Sequence, residues 1–223
     1  MYRWPPARRP IRIVEDEIRQ EFTVRAPGLT GLTEDKPQNP WDWYFMMQHS
    51  GAPTRLLDWT EGALLALYFA VRYNDGNTDA AVWALEPWKL NEHSLGEPEV
   101  IAPGLTSLFS DTDRTRYRPW LPDLYVKTPV LPEMPVAVYP SHIARRISTQ
   151  RSCFTIHGSK PDGLEEWGSK EPRYLVKLVV ARSSVRGILE HLILCGVDEL
   201  AVFPDVDGLG RFLSNSLRAE HDD

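Results

Sequence analysis

Between residues 48 and 60 the chain reads Gln48-His49-Ser50-Gly51-Ala52-Pro53-Thr54-Arg55-Leu56-Leu57-Asp58-Trp59-Thr60, which sets a guanidinium, a carboxylate, an imidazole and several hydroxyls close together. If Arg55, Asp58 and Thr60 lie where a strand hands over to a helix, free N–H groups and the positive end of the helix dipole point at one place. Such a junction can hold the phosphate or ribose of a nucleotide. The architectural alternative makes Asp58 and Thr60 helix caps and pairs Arg55 with a nearby carboxylate. His49 stands just before Gly51 at a helix end, where the dipole favours it. With Gln48 beside it, His49 could also hydrogen-bond a ligand, and no nucleophile lies near enough in sequence to build a triad.

A second group is "SHIARRISTQRSCFTIHG", residues 141–158, in which Arg145, Arg146 and Arg151 flank Gln150. The strand that follows carries Cys153, Thr155 and His157 on alternate positions of one face. Cys153 and His157 are then about two pleats apart, too far for one to activate the other, so Cys153 reads as a small core residue. In "FPDVDG", Asp205 and Asp207 resemble a pair that could hold Mg²⁺ for metal-dependent hydrolysis. The helix that follows Gly208 favours a cap instead, and no metal is expected.

The elements that must place these groups can be read from periodicity and punctuation. A helix is expected over Ile13 to Ala26, a loop over 26–40, and a buried helix over Trp41 to His49 closed by Gly51 and Pro53. Thr54 to Leu57 reads as a short strand. Asp58 with Glu61 has capping-box spacing and opens a helix from about Trp59 to Tyr73. Strands follow at 80–87, 152–158, 174–180 and 199–204, with helices at 140–149, at 183–197 behind a serine N-cap, and from Asp205 to the end. Residues 92–139 read as loops with short helical turns. Helices and strands mix without a regular βαβ alternation, which favours an α+β fold.

At 223 residues and 42% hydrophobic, the chain can bury one sizeable core, and its length favours a single domain. A net charge of −6 and a pI near 5.6 argue against a general nucleic-acid-binding surface. A small anionic ligand held by one or two local arginines remains compatible with that balance. The two cysteines, Cys153 and Cys195, form no CxxC pair, so neither a zinc site nor a disulfide framework is expected. The start of the chain has no secretory h-region, and its longest apolar run, Ala63 to Val71, is too short to span a bilayer. A soluble, cytoplasmic protein without a membrane partner is expected.

Read as a whole, "QHSGAPTRLLDWTEGALLALYFAV" resembles the signature of FRG-domain proteins, and "AAVWALEP", "RISTQRSCFTIHG" and "ELAVFPDVDGLGRFL" agree with that family in order. The resemblance runs from about Trp41 to Leu213 and treats the whole chain as one FRG domain. The family takes its name from a (Phe/Tyr)-Arg-Gly motif, for which this chain offers Tyr2-Arg3-Trp4, with Trp where Gly belongs. The resemblance implies an arrangement similar to ADP-ribosyltransferases: a mixed or antiparallel split sheet with flanking helices, and NAD⁺ as substrate in a cleft. By that analogy Arg3 or Arg55 holds a phosphate, and His49, Thr54, Asp58 and Thr60 line the nucleotide. Gln150 bonds a ribose hydroxyl as the glycosidic bond loosens toward an oxocarbenium ion, and its neutral dipole stabilises that cation less than a carboxylate would. The implied activity is ADP-ribosylation of a protein or nucleic-acid acceptor, or NAD⁺ hydrolysis, in bacterial defence or a toxin system. The alternative is a non-catalytic ligand- or partner-binding module that kept the fold without the chemistry.

Overall fold

The computed structural model describes residues 11–29, 37–105, 116–121, 131–141 and 148–219. Arg3 and its motif, and most of the helix expected at 140–149, lie outside them. The described elements run α1 (Ile11–Arg25), α2 (Pro40–His49), β1 (Leu56–Thr60), α3 (Ala63–Val71), β2 (Ala80–Leu85), α4 (Pro87–Leu95), β3 (Val136–Val138), β4 (Ser152–Ile156), α5 (Gly163–Lys170), β5 (Leu175–Val180), α6 (Val185–Leu194), α7 (Glu199–Val202) and α8 (Val206–Ala219). This mixture of helices and small antiparallel sheets is an α+β fold. No helix among the described residues is long and apolar enough to cross a membrane. The chain divides into two compact units, each assembled from three separate segments.

Unit 1 comprises residues 1–58, 86–144 and 153–170. Its core forms where α2 lays Trp41, Tyr44, Phe45 and Met47 against Leu56, Val136, Val138, Phe154 and Ile156. The α2 helix starts where Asn39 accepts the N–H groups of Trp41 and Asp42 at 2.9 and 3.1 Å, with Pro40 at the first helical position. β3 and β4 pair antiparallel with Val136 opposite Ile156 and Val138 opposite Phe154, and the sheet order is β1–β4–β3. At the end of β4, Gly158 lies so close to the backbone of Pro132 and Glu133 that a Cβ there would meet the Pro132 carbonyl oxygen at 2.1 Å. That close approach allows Ser159 to donate to the Pro132 carbonyl at 2.7 Å, which fixes the chain leaving His157.

The apolar face expected on α1 is only part of what this helix buries. Ile18 and Phe22 pack partly on the core, but Glu15 and Asp16 are fully buried. Glu15 accepts from Arg55 Nε at 2.6 Å, from the Arg55 backbone N–H at 3.1 Å and from the Tyr44 hydroxyl. The remaining Arg55 guanidinium nitrogens donate to the carbonyls of His157 and Trp120.

Unit 2 comprises residues 59–85, 145–152 and 171–223. β2 and β5 pair antiparallel from Ala80 opposite Val180 to Leu85 opposite Leu175. The core is Tyr68, Val71, Ala80, Val185, Leu192, Val202 and Phe203. Three expectations are corrected in this unit. The helix expected from Trp59 begins at Ala63, because Glu61 still donates its N–H to the Arg151 carbonyl at 3.1 Å and Thr60 Oγ1 takes the Gly62 N–H at 3.0 Å. The pairing partner and the β-favouring Trp59 and Thr60 keep these residues extended, so Asp58 caps nothing. The strand expected at 199–204 is the helix α7, opened by Asp198, whose side chain accepts the Ala201 N–H at 2.8 Å. Ser184, expected as an N-cap, makes no side-chain capping bond. Asp205 does cap α8, accepting the Gly208 N–H at 2.7 Å.

Glu15→Ala leaves the Arg55 charge buried without its counter-ion. The expected loss is about 3–5 kcal/mol of stability, read as a lower urea midpoint with an unchanged slope. A loss under about 1 kcal/mol, the range of an exposed pair, would contradict a sealed ion pair.

Candidate functional site

The opening signature bends sharply after α2, and that bend places the first polar groups. Gly51, at φ 77°, donates to the Gln48 carbonyl at 3.0 Å, and Ala52 donates to the Met47 carbonyl at 2.9 Å. This is a Schellman turn, which needs the left-handed conformation that glycine adopts without a Cβ clash. It ends α2 with Gln48 and His49 half-buried in its last turn and directs the chain toward β1.

From this corner a hydrogen-bonded relay runs outward. The Leu56 N–H donates to Thr54 Oγ1 at 3.2 Å, the Thr54 hydroxyl donates to Gln48 Oε1, and Gln48 Nε2 donates to Asp58 Oδ2 at 2.7 Å. An ionised carboxylate only accepts, so Asp58 fixes which end of the Gln48 amide faces it, and Thr54 must serve the other end. Asp58 is exposed. Desolvation by the surrounding protein nevertheless raises its pKa, against the Gln48 bond, its own backbone N–H and the charge of His49, which lower it. The carboxylate thus meets solvent while nearby protein disfavours its ionised form.

Arg55 is used differently. The residue is 5% exposed, and Nε, Nη1 and Nη2 each donate to a protein oxygen. Burial draws its pKa down, but the Glu15 carboxylate charge and the bond to Glu15 outweigh it and hold the guanidinium more basic than usual. The guanidinium expected on a phosphate is therefore a core ion pair, the architectural alternative the sequence offered. Tyr44, raised well above the usual phenol range by burial and then by the Glu15 charge, stays a neutral donor.

Thr60 and Gln150 belong to unit 2. The Thr60 hydroxyl donates to the Gln150 backbone carbonyl at 2.7 Å, and the Gln150 side chain donates through Nε2 to the Val202 carbonyl at 3.2 Å. The next residue, Arg151, holds φ at 48°, a left-handed conformation uncommon for a side chain of this kind. Cys153 is half-buried in β4 and Thr155 fully buried. Among the described residues no group of three or more His, Cys, Asp or Glu converges to hold a metal ion.

The structure thus brings Gln48, Thr54 and Asp58 into one relay, with His49 close enough for its charge to act on Asp58. Sequence reasoning left Gln48 out of the site, although it opens the signature. It also missed Glu15, which reaches Arg55 across 40 positions without any local pattern to announce it.

A raised Asp58 pKa means that the folded chain disfavours the ionised form. Its contribution to stability is present at acid pH and is lost as pH rises through the folded-state pKa. Asp58→Asn is therefore expected to keep or raise the melting temperature at pH 7, with the gain shrinking on acidification. A marked drop at pH 7 would make Asp58 a structural residue.

Residues 6–79, a third of the chain, match the family model of the FRG domain. No curated protein and no solved structure matches the chain.

Proposed function

This chain carries an FRG domain at residues 6–79, and on that premise we propose that it binds NAD⁺ at Asp58 and cleaves the nicotinamide–ribose bond, as an ADP-ribosyltransferase or NAD⁺ glycohydrolase does. One observation carries the reading: an exposed carboxylate held by the Gln48 amide, where neighbouring protein raises its pKa. A fixed negative charge in such a place stabilises a developing cation more than it would in water.

Written out, the C1′–N bond breaks with its electron pair passing to the pyridinium nitrogen, which leaves as neutral nicotinamide. The ribose C1′ becomes an oxocarbenium ion facing the Asp58 carboxylate. Water, or a nucleophile of a protein or nucleic-acid acceptor, bonds to C1′ and gives up its proton to solvent. Asp58 takes the part that the family analogy gave to Gln150. Gln48 and Thr54 hold the carboxylate in position, and Arg55 maintains the strand that carries it.

A second reading, a binding module without turnover, is favoured by Gln150. Its neutral amide is bonded to the Val202 carbonyl, and it offers no charge to a cation.

Nicotinamide release from NAD⁺ by the full chain tests both. Enzyme turnover is expected to fall about 10²–10³-fold in Asp58→Asn, the size of effect seen when one electrostatic stabiliser is removed. Its acid limb is expected above the ordinary aspartate value of about 3.9, because ionised Asp58 is required and its pKa is raised. A melting-temperature rise with NAD⁺ but no nicotinamide would select the binding module. No release and no stabilisation would end the NAD⁺ reading.

A further inference from the structure

We infer that β5 is a docking edge for a second copy of this chain, the two β5 strands pairing antiparallel across a two-fold axis at Leu178. Among the described residues β5 has one sheet neighbour, β2, and the two pair through six residues in unbroken register. A two-stranded sheet is marginal in water, and an open edge offers its N–H and C=O groups to another chain. The side chains above and below that edge are apolar and bare. Val176, Leu178 and Val179 are 37%, 54% and 61% exposed, and Trp83 on β2 is 47% exposed. Successive side chains point to opposite faces, so β5 meets solvent on both.

Such edges are normally guarded by charge, lysine above all. The one charged residue of β5 is Lys177, and its ammonium lies over the Trp83 ring, 5.6 Å from the centroid. Trp83 stands opposite Lys177 on β2, so the lysine is folded back across the sheet and away from the outer edge.

The order of residues along the strand fits it to itself. A two-fold contact must be self-complementary, and residues opposite one another in an antiparallel pair share a face. With the axis at Leu178, that residue meets Leu178 of the second copy, Val176 meets Val180, and Lys177 meets Val179. One face then carries Val82, Leu178, Leu178 and Val82 in a row across four strands. An axis at Lys177 would instead set two like charges directly opposite, which destabilises a pair. The chain carries a net charge of −6, yet neither β2 nor β5 holds an acidic residue, so two copies meet there without opposing carboxylates. Interfaces under about 1,200 Å² in total are weak and transient, and one six-residue strand pair with its flanking side chains belongs to that class. A Kd of roughly 1–100 μM is therefore expected.

Sedimentation velocity of the full chain over that range tests this, with hydrogen exchange of the β5 amides followed at the same concentrations. Mass is expected to rise from 25.5 kDa toward twice that value, while alternate β5 amides, those facing outward, slow their exchange. Leu178→Lys is expected to restore the monomer, because two charges then meet on the axis. Two variants at Val179 read the register. Val179→Lys sets a lysine opposite Lys177 twice in each dimer and is expected to weaken it about tenfold. Val179→Glu sets a carboxylate there and is expected to keep or strengthen it. Both positions are exposed, so all three variants are expected to melt within a few degrees of the unaltered chain. A chain that is monomeric at every concentration overturns the inference, even if a synthetic peptide of the β5 sequence slows the same amides. So does a dimer that survives Leu178→Lys, one that leaves β5 exchange unchanged, or one weakened equally by both Val179 variants.

Discussion

The Glu15–Arg55 ion pair is the interaction on which the rest of unit 1 depends. Two charges withdrawn from water carry a penalty of several kcal/mol each, and the pair survives because every guanidinium nitrogen and both carboxylate oxygens are bonded. Glu15 takes Arg55 Nε, the Arg55 peptide N–H and the Tyr44 hydroxyl. Arg55 reaches the carbonyls of His157 and Trp120, and its own carbonyl accepts the His157 N–H at 3.0 Å. One residue is thereby held through backbone and side chain by α1, α2, the end of β4 and the segment at Trp120. Its neighbours Thr54 and Leu56 inherit that rigidity, and they begin the relay that ends at Asp58.

Unit 2 is organised on the same physical plan around different residues. Buried Glu199 accepts from the Tyr68 hydroxyl and from Arg72 at 2.9 Å each, and from Arg211 at 2.6 Å. The Arg72 guanidinium lies 4.2 Å from the ring centroids of both Tyr73 and Phe203. Aromatic faces and a carboxylate together replace the water that the cation gave up. In both units a glutamate, a tyrosine and an arginine close a polar centre inside an apolar shell. These centres order the fold, and groups so fully engaged have little left to offer a ligand.

What the sequence made legible follows from the range of the forces involved. α2, its glycine stop, β2, β4, β5, α6 and α8 rest on local periodicity, caps and turns, and they stand within a few residues of where those signals put them. The misplacements occur where a distant partner decides. Asp58 and Glu61 have the spacing of a capping box, but the Arg151 carbonyl holds Glu61 in an extended chain. "ELAVFP" has strand composition, yet the Asp198 cap and the Tyr68, Arg72 and Arg211 contacts to Glu199 favour a helical turn. For the site, the polar composition of residues 48–60 was visible, but not the division of labour within it. Nothing local distinguishes an arginine bound for the core from one facing a ligand.

Arg55 and Asp58 stand three positions apart with opposite charges, and their separation in environment is what gives the surface its character. An exposed Arg55 beside Asp58 would neutralise it, and the pair would attract phosphate and carboxylate ligands about as well as donors. With Arg55 drawn inward by Glu15, the hydrogen-bond partner of Asp58 is the neutral amide of Gln48. The carboxylate then keeps its charge for whatever approaches from solvent, in a chain whose net charge of −6 already disfavours anions at long range. The ion pair that stabilises the core therefore also keeps the Arg55 guanidinium away from Asp58, which is left with the Gln48 amide and the His49 charge.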